Sequence, residues 1–163
     1  MSEAVNPAGY GRPPMSRGDR EARTAKLLIP ATFVAMILSG IWALFVGTAS
    51  MGGDDSDITT GWPGVARNIP VYLLVIGLGL ASIVFAALAI RDGARNGTLI
   101  LVVAAVVFTL VLSQSTRDVA ELVMDTRAAT VSWLLFLVDA VVVAAFATLA
   151  HRWARRSARV APH

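Results

Sequence analysis

The chain has 163 residues, of which 56% are hydrophobic and only 15% charged, with a mean hydropathy of +0.66. A soluble fold of this size has too much surface per unit volume to bury that much apolar area, and ordinary soluble domains carry about a quarter charged residues. Soluble enzymes and soluble nucleic-acid binders are therefore excluded, and the net charge of +3 and pI near 10.2 need an explanation other than nucleic acid.

The first 25 residues contain Pro7, Pro13, Pro14 and several glycines, with no periodic apolar stripe. They read as a disordered tail. A charge-free run of 27 residues follows at 27–53, then one of 23 at 68–90 and one of 21 at 96–116. A fourth run of 24 residues, 128–151, is interrupted once, by Asp139. A helix needs about 20 apolar residues to cross a bilayer, so four transmembrane helices are expected near 27–49, 70–90, 98–116 and 129–151. Lipid satisfies no backbone N–H or C=O, which leaves helices or closed barrels. The roughly ten-residue alternation of barrel strands is absent. The expected fold is all-α, a four-helix transmembrane domain over residues 26–151, flanked by the 1–25 tail and a basic tail at 152–163.

Punctuation between the helices fits this division. Pro30 falls in the first turn of the first helix, where its missing N–H costs little. The segment at 50–69 is the one sizeable loop on its side, and its Asp54, Asp55 and Asp57 lack the alternating spacing, glycine and distal glutamate of a calcium loop. They read as a solvated acidic cluster. Asp92-Gly93 and Asn96-Gly97 mark a tight turn between the second and third helices. Residues 91–95, Arg-Asp-Gly-Ala-Arg, faintly resemble the D-G…A-R core of CDP-alcohol phosphotransferases. That family needs two residues between Gly and Ala and further aspartates downstream, and both are missing here. Residues 117–127, RDVAELVMDTR, group Val119, Leu122 and Val123 on one face and continue the third helix as an amphipathic extension.

Topology follows from lysine and arginine placement. Arg12, Arg17, Arg20, Arg23 and Lys26 precede the first helix. Arg91 and Arg95 lie in the second connection, and Arg152, Arg155, Arg156 and Arg159 follow the fourth helix. These are eleven of the fourteen basic residues, whereas six of the eleven acidic ones fall in the other two connections. Both termini are expected in the cytoplasm of a bacterium, with the chain multi-pass in its inner membrane. The four terminal arginines would meet anionic lipid headgroups, each contributing about 1 kcal/mol near the surface.

Asp139 is the one charge-capable residue deep in a span. About ten residues into the fourth helix, it lies about 15 Å from that helix's outer end, near the midplane. Insertion there costs about 2.5–3.5 kcal/mol. Counting depth along each helix gives Ser39, Ser82 and Thr109 as its hydroxyl neighbours. The favoured role is a hydrogen-bonding clasp, and a proton or cation relay is the alternative.

Small residues recur every four positions at Ala31, Ala35, Ser39, Ala43 and Gly47, and again at Ala140, Ala144 and Thr148. Such spacing lets helix backbones approach closely, within the bundle or against another membrane subunit. With no cysteine, and with His151 and His163 as the only histidines, the chain has no ligand set for an iron–sulfur cluster, a bis-histidine haem or zinc. No catalytic, cofactor-binding or metal site is expected.

Thirteen arginines against one lysine, together with Ala/Val-rich spans, resemble the small four-helix integral membrane proteins of actinobacteria. That resemblance implies a non-catalytic accessory or assembly subunit of a larger membrane complex, with Mce-type lipid importers as the first setting and respiratory supercomplexes as the second. The partners expected are membrane lipids and a larger membrane protein, with no nucleic acid. A small proton- or ion-coupled transporter centred on Asp139 is the remaining alternative.

Overall fold

A computed structural model describes residues 15–50, 61–124 and 129–160. The described chain is all-helical: α1 Arg17–Ser50, α2 Gly61–Arg91, α3 Gly97–Met124 and α4 Ala129–Val160. All four helices are long and apolar enough to cross a membrane. The Asp54, Asp55 and Asp57 cluster lies outside the described residues, as do residues 1–14 and 161–163.

The helices are longer than the charge-free runs, and this corrects three expectations. First, α1 begins at Arg17, so residues 17–25 are helical and not part of a disordered tail. The cause is a serine N-cap: the Asp19 N–H donates to Ser16 Oγ at 3.1 Å, and the Ser16 hydroxyl in turn donates to Asp19 Oδ2 at 2.7 Å. The first of these bonds satisfies an N–H that a helix start leaves open. Second, Pro30 lies in the interior of α1, where it has no N–H to give the Lys26 carbonyl. Third, α4 runs on through the basic segment to Val160, so the arginines following the fourth span stand on a helix. The extension of the third helix beyond 116 is present, with α3 ending at Met124.

The α2–α3 connection is tightly determined. Gly93 has φ +80°, its N–H reaches the Ile90 carbonyl at 3.2 Å, and the Ala94 N–H reaches the Ala89 carbonyl at 2.8 Å. This pair of bonds is a Schellman cap, whose left-handed position favours glycine.

The α2–α3 hairpin is the centre of the molecule. α1 and α4 each pack on both of its helices and make no contact with each other among the described residues. Sequence periodicity explains the centre. Val75, Gly79, Ser82, Ile83, Ala86 and Ala87 line the inner side of α2, and Ile100, Leu101, Ala104, Phe108 and Val111 that of α3, at the three- and four-residue steps of a helix face. Phe108 lies over Gly79, where an added Cβ would collide with its ring. α1 contributes Ala22, Ala25 and Thr32 to the interior.

One end of the molecule gathers the start of α1, the α2–α3 turn and the last turns of α4. A Cβ on Gly18 would come within 2.5 Å of the Asp92 carbonyl oxygen, so glycine permits α1 to meet the turn. Arg17 Nε lies 3.2 Å from Asp92 Oδ2, and Arg91 holds the same carboxylate through Nε at 2.7 Å and Nη2 at 3.3 Å. The Arg91 guanidinium in turn sits 5.8 Å from the centre of the Trp153 ring on α4. The hydrogen bond from Arg91 holds the Asp92 carboxyl below its usual range. Burial opposes this, and the charges of Arg91 and Arg17 reinforce it.

Candidate functional site

Asp139 is buried, with 8% of its surface exposed, and its partner is Thr116. The Thr116 hydroxyl donates to Asp139 Oδ2 at 2.6 Å, within the range of about 2.5–2.7 Å for a hydroxyl bound to a carboxylate. The bond ties α3 to α4.

The three hydroxyls expected around Asp139 are not its hydrogen-bond partners. Ser39 donates to the Met36 carbonyl at 2.7 Å, Ser82 to Gly79 at 2.7 Å and Thr109 to Ala105 at 2.9 Å. Each is satisfied by the backbone of its own helix, as serine and threonine commonly are. The physical reason lies in α3. Depth counted to a helix end at 116 selects Thr109, but α3 continues to Met124. The level opposite Asp139 therefore moves two turns along the same face, from 109 to 116. In an antiparallel hairpin, residues equally far from the connection meet. Thr116 lies eight residues before the end of α3 and Asp139 ten after the start of α4. That symmetry was the available signal.

The pairing also sets the local environment of Asp139. It meets α3 at the polar run Ser113, Gln114, Ser115, Thr116, Arg117, Asp118, and not within the apolar stretch that precedes it. Measured along α3 from Gly97, Thr116 stands about 28 Å away at 1.5 Å per residue, close to the thickness of about 30 Å of a bilayer's hydrocarbon core. The carboxyl thus belongs to a polar collar near one end of α3.

The small-residue positions divide. Ala35 and Ser39 are half-buried on α1, and the side-chain surroundings of Ala43 and Gly47 lie outside the described residues. On α4, Ala140 is half-buried and Ala144 exposed, and both line a groove of about 410 Å³ between α3 and α4. Arg152, Arg155, Arg156 and Arg159 are exposed on the last turns of α4. None forms an ion pair among the described residues. Among those residues no group of three His, Asp or Glu side chains is placed to hold a metal ion.

Comparison with known proteins gives no match to a family model, to a curated protein or to a solved structure.

Proposed function

We propose that this chain is a non-catalytic accessory or assembly subunit of a larger bacterial membrane complex, with a Mce-type lipid importer as the first setting and a respiratory supercomplex as the second. The observation that carries this reading is the economy of α4. Only 11% of its apolar window is buried within the chain, against 39% for α2. Leu134, Leu137, Val138, Val141, Val142 and Leu149 all face outward. α4 is held by a polar clasp and a small interior face, which leaves a long apolar face for a neighbouring helix or for lipid. Membrane helices associate through such close van der Waals faces.

The basic residues at the α1 start, the α2–α3 turn and the α4 end share one end of the molecule. The positive-inside rule assigns that end to the cytoplasm, which puts both termini there. A second reading, a small proton- or ion-coupled transporter, draws on the buried carboxyl of Asp139. In the clasp reading the Thr116 hydroxyl occupies one of its oxygens as a structural bond.

The test is gentle solubilisation of the native complex through a tag on the C-terminus. A lipid-importer permease recovered in fixed stoichiometry supports the assignment. A lone protein that carries protons across liposomes contradicts it and favours the transporter.

A further inference from the structure

We propose that the groove between α3 and α4 is a binding site for one anionic phospholipid, with an acyl chain along the groove and the headgroup among the arginines that follow it. The groove is walled on α4 by Ala140, Ala144, Ala147 and Thr148, and on α3 by residues from Thr98 to Thr109. Alanines recess the α4 wall, while Leu101, Val102 and Val106 give the α3 wall its apolar surface. The eleven-residue steps from Ala140 to His151 and from Thr109 to Thr98 each measure about 16 Å, a channel extended along the helices as an acyl chain is. Its volume of about 410 Å³ falls within the range of roughly 300–1,000 Å³ typical of small-molecule sites.

The occupant is identified by charge. His151 lines both the end of the groove and a second, basic concavity whose other walls are Arg152, Arg155, Arg156 and Arg159. The periodicity makes this one continuous feature. Ala140, Ala144, Ala147 and His151 are spaced three and four apart, and Arg155 and Arg159 continue the same face of α4. A single helix face therefore passes from apolar to cationic at one end of the span, in the order of a phospholipid's own tail and headgroup. No acidic side chain among the described residues is paired with these four arginines. The Nδ1 of His151 is buried with no hydrogen-bond partner among those residues, so its bonding capacity is not used up within the protein. This site requires neither the partner nor the sidedness of the functional assignment.

The experiment is native mass spectrometry of the full chain in mild detergent. The probes are phosphatidylglycerol and phosphatidylcholine of identical acyl composition, with inorganic phosphate as competitor. The wild type retains one phosphatidylglycerol in preference to phosphatidylcholine. The exposed double variant Arg155→Gln/Arg159→Gln weakens phosphatidylglycerol by about fivefold per arginine and leaves phosphatidylcholine unchanged. Ala144→Phe, at an exposed groove position, lowers retention of both lipids. Equal retention of the two lipids by the wild type overturns the proposal, as does full retention by Ala144→Phe. Release of phosphatidylglycerol by inorganic phosphate alone would reduce the site to a headgroup patch. A second copy of the chain seated in the groove, seen as a dimer that excludes lipid, also contradicts it.

Discussion

The Thr116 hydroxyl and the Asp139 carboxyl meet at 2.6 Å across the α3–α4 interface, whereas the Ser39, Ser82 and Thr109 hydroxyls bond only to their own helix backbones among the described residues. Hydrogen bonds between membrane helices contribute about 0.6 kcal/mol on average and up to about 1.7 kcal/mol. The short bond to a buried carboxyl belongs at the upper end. A double-mutant cycle with Thr116→Val and Asp139→Leu, read by reversible unfolding in mixed micelles, should give a coupling of about 1–1.7 kcal/mol. The same cycle with Thr109→Val should give none, because Thr109 bonds to Ala105.

Gly79 on α2 packs against the Phe108 ring of α3, where an added Cβ would collide with it. Replacing Gly79 by Val forces the Phe108 ring out of its site, and overpacking of this kind costs about 1–3 kcal/mol. Unfolding of Gly79→Val and of the double variant Gly79→Val/Phe108→Ala checks this. The double variant should be more stable than the sum of the single changes. Strict additivity would separate the two residues.

Asp92 links α1 to the turn through Arg17 and is held by Arg91. Its carboxyl is depressed below the unfolded value of about 3.9. A depressed carboxyl contributes stability that is present above the unfolded value and lost as pH falls through the lower folded one. The melting midpoint of the wild type should therefore hold down to about pH 5 and drop as pH is lowered past about 3.9. Asp92→Asn should begin lower and lack that component of the fall. The pair with Arg17 is exposed on the arginine side and adds little of its own.

The Ser16 N-cap at the start of α1 is tested by Ser16→Ala, which should cost about 0.5–2 kcal/mol. The loss should be local. Amide exchange at residues 18–22 should accelerate, while exchange in α2 and α3 should not change.

Element number and type were readable from the charge-free runs, because lipid demands long helices with internally bonded backbones. The Gly93 turn was readable too, since Asp-Gly between two apolar runs marks a position that glycine fills without strain. Helix ends were less legible. Charges bounded the runs at 27 and 151, but a charged residue stops a membrane span and not a helix, so α1 starts after the Ser16 cap and α4 reaches Val160. The site inherited that error. Asp139 stood out because a lone carboxyl in an apolar helix needs a partner, but its partner depended on where α3 ends. The groove was legible only in part. The Ala140–Ala144 spacing showed that α4 has a recessed face, but which helix lies opposite and how that face joins the arginines are consequences of packing.

The proposed assembly with a larger membrane protein would run through the outward face of α4. A photo-crosslinking residue at Val141, exposed on that face, tests it most directly in intact membranes, with the same group at Val102 on α3 as the comparison. Val141 should form one discrete adduct with a large membrane subunit, at a yield that Asp139→Leu reduces and Asp139→Asn preserves. Adducts with lipid alone, or only with a second copy of this chain, would contradict the account.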